Sequence, residues 1–302
     1  MIAFLFPGQG AQRAGFLHAI DHPAARLAVA EASDALGQDV LELDSETALH
    51  STVAVQVGLV VAGVATARAL AAEGIEPFAV AGLSVGAYGA AVVSGAVAFA
   101  DALRLVRLRA QWMERAYPHG YGMLAIVGLS EREVIQALED DAYLGNLNAP
   151  RQIVVAGSDA GLERVRQRVL ERGARKAERL AMSVPSHCVL LDDAACQLTE
   201  AARAVTFFAP HVAYVGNRGA RVLRDAEAIR NDLATNLRYP VRWHDSTVAL
   251  GELGVHLLVE MPPGRTLTQL ASEALPDLLA IAVEQTPIAA VAMRIRSRLS
   301  SG

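Results

Sequence analysis

Hydrophobic and polar positions fall into short uncharged runs separated by longer stretches of helical period. Ile2 to Phe6 is apolar throughout, which predicts a strand covered on both faces. Ala24 to Leu36 and Asp44 to Leu49 read as helices. Ser51 to Glu73 predicts a long core helix, without a charge from Ser51 to Ala67. Phe78 to Ala81 predicts a second buried strand, and the Ala/Val/Gly-rich run Ala87 to Ala100 reads as helical. Asp101 to Arg115 predicts a helix with two faces. At about 100° per residue, Arg104, Arg107 and Gln111 gather on one side. Leu103, Leu105, Val106, Leu108, Ala110, Trp112 and Met113 spread over the other, and Arg109 falls near the middle of that apolar arc. A guanidinium aimed at a core needs an anion, either an internal Asp or Glu or the carboxylate of a ligand.

The texture changes at Tyr121. Strand Tyr121 to Leu129, helix Ser130 to Asp140, strands Ala142 to Leu147 and Gln152 to Gly157, helix Asp159 to Arg172 and strand Ala174 to Ala181 follow in turn. That order is βαββαβ, the ferredoxin-like unit. Helix Leu191 to Val205, strand His211 to Gly216, helix Asp225 to Leu237, strand His256 to Glu260 and a turn at Pro262-Pro263-Gly264 come next. A helix with a frayed end is predicted from Thr286. Strands separated by helices imply a largely parallel sheet. The predicted fold class is α/β: a large α/β-hydrolase-like domain, residues 1–118 and 186–302, with a mainly parallel sheet, and an inserted ferredoxin-like small domain, residues 119–185.

Composition narrows the function. The 302 residues are 53% hydrophobic, enough for a large core. A formal net charge of -5 argues against a nucleic-acid binder. Two cysteines, Cys188 and Cys196, are too few for a disulfide framework or a zinc site, which fits a reducing cytosol. Met1 to Phe6 lacks the basic flank of a signal peptide. The uncharged run Pro77 to Ala100 is long enough to span a bilayer, but its glycine pairs and serines read as a buried strand followed by a buried helix. The chain is therefore expected to be cytoplasmic, without a membrane partner.

The sharpest chemical signal is Gly82-Leu83-Ser84-Val85-Gly86, a G-x-S-x-G between a predicted strand and a predicted helix. Such a turn presents its serine at the apex, near free N–H groups of the helix N-terminus. The bland alternative is a close-packed glycine turn. Pro7-Gly8-Gln9-Gly10-Ala11-Gln12 forms a second glycine loop. A phosphate loop is its rival, but no G-K-[ST] follows. His187 is the candidate base, although a histidine after a strand is more often structural. No H-E-x-x-H, C-x-x-C or Walker pattern occurs, so no metal or bound cofactor is indicated.

In order, FPGQGAQ (Phe6 to Gln12), GLSVGAY (Gly82 to Tyr88), RLRAQWM (Arg107 to Met113), YGMLAIVGL, NLNAPRQIVVAG, SVPSHC, YPVRW and EMPPGRTLTQL resemble the malonyl-CoA:acyl-carrier-protein transacylase family, over essentially the whole chain. The resemblance implies two-step acyl transfer. Ser84 would be the nucleophile and His187 the base, with malonyl-CoA as donor and a carrier-borne phosphopantetheine-type thiol as acceptor. It further implies an oxyanion hole from Gln9 and Val85, a malonyl carboxylate on Arg109, and orientation of His187 by the Asn236 backbone carbonyl. Leu83 and Ala87 depart from the usual histidine and glutamate, and Pro262 replaces a glycine. These changes resemble the epsilon subunit of bacterial malonate decarboxylase, whose acceptor is a small carrier subunit with a dephospho-CoA-derived group. The expected partner is therefore an acyl-carrier protein, preferentially that carrier subunit. The basic run Arg172, Arg175, Lys176 and Arg179 is a candidate surface to meet it, against a solvated helix end.

Three alternatives stay open. One is a general malonyl-CoA:ACP transacylase of fatty-acid or polyketide synthesis. Another is a serine hydrolase, which needs an acid and a late histidine such as His244 or His256. The third is a non-catalytic scaffold.

Overall fold

The computed structural model describes residues 1–284 and 286–299. The chain opens with β1 (Ile2–Phe6), α1 (Pro23–Leu36) and α2 (Thr52–Ala72), then β2 (Ala79–Gly82), α3 (Gly86–Val93) and α4 (Phe99–Ala116). It continues through β3 (Tyr121–Val127), α5 (Glu131–Ile135), β4 (Ala142–Ala149), β5 (Gln152–Ser158), α6 (Asp159–Glu171) and β6 (Lys176–Arg179). It then returns through α7 (Asp192–Arg203), β7 (Ala213–Val215), β8 (Val222–Leu223), α8 (Ala226–Thr235), α9 (Trp243–Glu252), β9 (Leu257–Glu260), α10 (Thr266–Ala274), β10 (Leu279–Ala282) and α11 (Ile288–Leu299).

Two sheets result. The larger has the order β10-β9-β1-β2-β7-β8 and is parallel except for the β7–β8 hairpin. Its strands alternate between two cores, as the two-residue period of a strand requires. Ile2, Phe4, Phe6 and Val80 face the large core built with α1 to α4, α7, α8 and α11. Ala3, Leu5, Ala79, Ala81 and Leu258 face a smaller core with Trp243, Leu250, Leu267 and Leu270 of α9 and α10. Burial on both sides is why β1 carries no polar residue. α2 is long and apolar enough to cross a membrane, but it is buried within this core. Its N-terminus is closed by Ser51, whose hydroxyl accepts from Val53 N.

The smaller sheet has the order β4-β5-β3-β6, all antiparallel, the arrangement of the ferredoxin-like unit. Leu124, Ile126, Ile153 and Val155 pack under α5 and α6. Met123, Val154 and Ala156 line the other face, which turns toward the larger sheet.

Several local expectations give way. Asp44 to Leu49 is not a helix: short 3-10 turns cover Val40–Asp44 and Ala48–His50, with Asp44 drawn inward to accept from Leu17 N. The run Ala87 to Ala100 breaks after Val93, where the Ser94 hydroxyl donates to Ala91 O and Gly95 takes φ +76°. Helix α5 stops at Ile135, well short of Asp140. Helices α9 and α10 and strands β8 and β10 were not foreseen.

Candidate active site

β2 runs into α3 through one sharp turn, and Ser84 at its apex has φ +56°, a left-handed conformation. Glycine on each side is a packing requirement. A Cβ on Gly82 would overlap the Gly86 backbone, and one on Gly86 would overlap the Phe6 carbonyl. The loop after β1 is held as closely, since a Cβ on Gly8 would meet the Leu83 side chain and carbonyl. The Gly8 approach is thus toward the elbow, which answers the phosphate-loop rival. Val85 is the N-cap of α3, so its N–H has no partner within the helix.

His187 also has a left-handed backbone, φ +67°, and its N–H donates to Leu237 O at 2.8 Å. The ring is buried and spans two partners. Nδ1 lies 2.8 Å from Asn236 O, and Nε2 lies 2.7 Å from Ser84 Oγ. A carbonyl only accepts, so Nδ1 carries the proton and Nε2 is free to take one from Ser84. Burial, reinforced by the nearby Arg109 charge, holds the imidazole down at about 4. It is neutral at pH 7, as a base must be.

Arg109 is 1% exposed. Its Nη1 donates to Gln56 Oε1 at 2.5 Å and its Nη2 to Ser84 Oγ at 3.1 Å, while its Nε has no hydrogen-bond partner. Among the described residues no carboxylate pairs with it. Burial lowers it to about 10, still charged at neutral pH. Of the two anions that the sequence allowed, an internal acid is not the one found. Arg104, by contrast, pairs with Asp101 at the surface.

Of these groups, Ser84, His187 and Gln56 open into a cleft of about 360 Å³ between the two sheets. Gln9, Val85, Ser84, His187 and Gln56 line it from the larger sheet's side; Met123, Asn146, Asn148 and Val154 line it from the smaller. One segment ties the walls together. Val241 N donates to Gly145 O and Val241 O accepts from Leu147 N, both at 2.8 Å, so the stretch after Asn236 pairs with β4. The basic run is largely occupied elsewhere. Lys176 pairs with Glu178, Arg179 with Asp159, and Arg172 donates to Glu133 O.

A family model described as an acyl transferase domain matches residues 3–296. The chain belongs to that family. It is 38% identical over 295 residues to the malonyl CoA-acyl carrier protein transacylase of Salmonella typhimurium, covering 94% of this chain and 96% of the relative. Among solved structures, the acyl-carrier-protein S-malonyltransferase of Burkholderia pseudomallei superposes with a TM-score of 0.91 at 37% identity, covering 97% of this chain and 99% of that one. A malonyl-transacylase solved in complex with its type II PKS acyl-carrier protein gives a TM-score of 0.92 at 36% identity, with 97% and 99% covered.

Within this acyl transferase, the two unusual residues beside the elbow have plain surroundings. Leu83 lines the cleft, and Ala87 is fully buried in the large core. Sequence reasoning missed three residues around the site. Gln56, the partner of Arg109, was a lone amide in a helix read only as core, and that isolation was its one signal. Asn217 accepts from Ser84 N through Oδ1 and donates to Gly82 O through Nδ2, both at 2.8 Å. Asp232 accepts from Asn217 N and from the Tyr214 hydroxyl, and burial raises it to about 6 despite those bonds. Nothing in the local sequence marks either of the last two. Late histidines do not reach Ser84: His256 faces the N-terminus of Met1.

Proposed function

We propose that the chain is a malonyl-CoA:acyl-carrier-protein S-malonyltransferase working by a ping-pong route. Ser84 attacks the malonyl thioester while its proton passes to His187 Nε2. The tetrahedral oxyanion is held by the N–H groups of Gln9 and Val85, and the CoA thiolate leaves with the proton from His187. The carrier's phosphopantetheine-type thiol then gives its proton to His187 and attacks the malonyl ester, and Ser84 leaves with that proton, which regenerates the free hydroxyl and the neutral imidazole. Arg109 takes the malonyl carboxylate in a bidentate pair, and Asn236 O keeps the imidazole in register. No resident metal or cofactor enters this scheme.

The observation that carries the proposal is the pair of contacts on one oxygen. Ser84 Oγ touches both a neutral imidazole and a buried guanidinium that lacks an ion pair among the described residues. A serine hydrolase has no need of the second. The names of the relatives support the general transacylase reading. The malonate decarboxylase acceptor rested on the departures at Leu83, Ala87 and Pro262, and it is now the lesser reading. A cytoplasmic setting and a division into residues 1–118 with 186–302 and an inserted 119–185 go with the proposal. The two separate sheets support that division.

Intact mass spectrometry tests the scheme. Malonyl-CoA should add one malonyl group to the wild type and none to Ser84→Ala, and added holo-carrier should remove it faster than water does. Full labelling of Ser84→Ala would refute the nucleophile. Loss of the label to water as fast as to thiol would favour the hydrolase. A malonate decarboxylase carrier that outcompetes a fatty-acid carrier at equal concentration would restore the specialised acceptor.

A further inference from the structure

The elbow leaves backbone groups that neither β2 nor α3 satisfies. Gly82 O and Ser84 N lie on opposite sides of Leu83, and both are met by one side chain. Asn217 Nδ2 donates to the first and Asn217 Oδ1 accepts from the second, each at 2.8 Å. Only a primary amide offers a donor and an acceptor in one plane at that spacing. A carboxylate lacks the donor, and a hydroxyl is too short to reach both. Asn217 is 3% exposed, so water does not compete for these bonds.

The Asn217 backbone that carries this carboxamide is itself held on two sides. Asn217 N donates to Asp232 Oδ1 at 3.1 Å, and Asn217 O accepts from Arg242 N at 3.1 Å. Asp232 is fixed in turn by the Tyr214 hydroxyl at 3.0 Å. The placement follows from sheet order. Asn217 comes just after β7, which lies beside β2, so the ends of the two strands are neighbours.

We infer that Asn217 is a positioning residue for Ser84: its carboxamide clamps the strained turn and thereby sets the direction of the hydroxyl and of the Val85 N–H. This rests on the reading of Ser84 as nucleophile. Without the clamp, the turn keeps the Leu83 N to Phe6 O bond at 2.9 Å, the Gly86 N to Leu83 O bond at 3.0 Å, the Ala87 N to Ser84 O bond at 3.1 Å and a longer contact from Asn236 Nδ2 to Ser84 O at 3.4 Å, none of which engages the Ser84 N–H. Asn217 touches no reacting atom, so substrate binding is left alone while the attack geometry loosens.

The test is single-turnover acylation by malonyl-CoA, followed by intact mass, in Asn217→Asp and Asn217→Ala. Asn217→Asp keeps the size and the acceptor but loses the donor; Asn217→Ala loses both. The rate constant should fall about 10²-fold, the scale of a small misplacement of reacting groups. The amplitude should stay complete, KM for malonyl-CoA unchanged, and the malonyl to acetyl preference unaltered. A wild-type rate constant in both variants overturns the inference. So does a normal rate constant with reduced amplitude, which marks an unfolded fraction and a merely structural asparagine. Ser84→Ala run in parallel separates the two levels: if it too is acylated, the nucleophile assignment has failed, not the clamp alone.

Discussion

Arg109 and Ser84 are hydrogen-bonded to one another, Nη2 to Oγ at 3.1 Å. The group suited to recognising the substrate's far end therefore touches the group suited to attack before any substrate arrives. On the proposed mechanism, an incoming carboxylate would draw the guanidinium toward itself and leave the Ser84 oxygen to His187, joining recognition to activation. Arg109→Ala should lose malonyl transfer by at least about 10²-fold, the scale of a lost charge-assisted pair, while acetyl transfer is kept or raised. Arg109→Lys should recover only part, because a fork becomes a point charge. Comparing kcat/KM for the two acyl-CoA donors checks this; an unchanged malonyl to acetyl ratio in Arg109→Ala would make the guanidinium structural.

On the proposed mechanism, the neutral state of His187 sets the pH dependence. Its folded value of about 4 means that the base is available throughout the physiological range. The rate of acylation under kcat/KM conditions should be level between about pH 6 and 8 and fall only as the pH approaches 4. An acid limb centred near the unperturbed histidine value of about 6.5 would contradict the burial argument.

Stability should carry two opposed proton linkages. His187 is lowered to about 4 from 6.5, so the unfolded chain takes the proton more readily and stability is lost as pH falls between those values. Asp232 is raised to about 6 from 3.8, so the folded chain takes the proton more readily and stability is lost as pH rises through that range. Each is worth about 3 kcal/mol at most. Asp232→Asn removes the second alone. The variant's Tm relative to wild type should therefore drop as pH is taken from 7 to 4.5. A difference in Tm that does not vary with pH would show that Asp232 does not titrate in this window.

The glycines of the elbow should be far less forgiving than those of loops. Gly86→Ala drives a Cβ into the Phe6 carbonyl, backbone against backbone, and should cost about 3 kcal/mol or more in urea unfolding. Gly120→Ala meets the opposite situation, a left-handed φ of +81° but open space around the new methyl. It should cost about 1 kcal/mol. Equal costs would mean that close approach is not what holds the elbow.

What could be read in the sequence was what repeats or punctuates. β1, with five apolar residues in a row, and Gly82 to Gly86 declare themselves by runs and glycines. The βαββαβ order is legible because each hairpin and helix has its own turn residues. Arg109 stood out because a charge on an apolar arc demands a partner. Asn217 and Asp232 were invisible for the opposite reason: a polar residue in a loop or on a helix looks ordinary, and their meaning comes from β7 lying beside β2. β10 was lost because Leu279 to Ala282 is four apolar residues, too short to separate from helix by period. The Asp44 to Leu49 helix failed because Asp44 bonds Leu17 N and His18 N far along the chain, a tertiary contact that overrides local preference.

The pairing of Val241 with both Gly145 and Leu147 bears on how anything enters the cleft. A lid on hinges would need that seam to part, and with it the stretch that carries Asn236 and grips the imidazole. The opening therefore behaves as a slot of set width and not as a jaw. A slender, flexible chain threads such a slot end-on and delivers its tip to the bottom, while whatever body it is attached to stays outside. On the proposed function, selection would then fall on the last few atoms to arrive, where the Arg109 guanidinium stands beside the Ser84 oxygen.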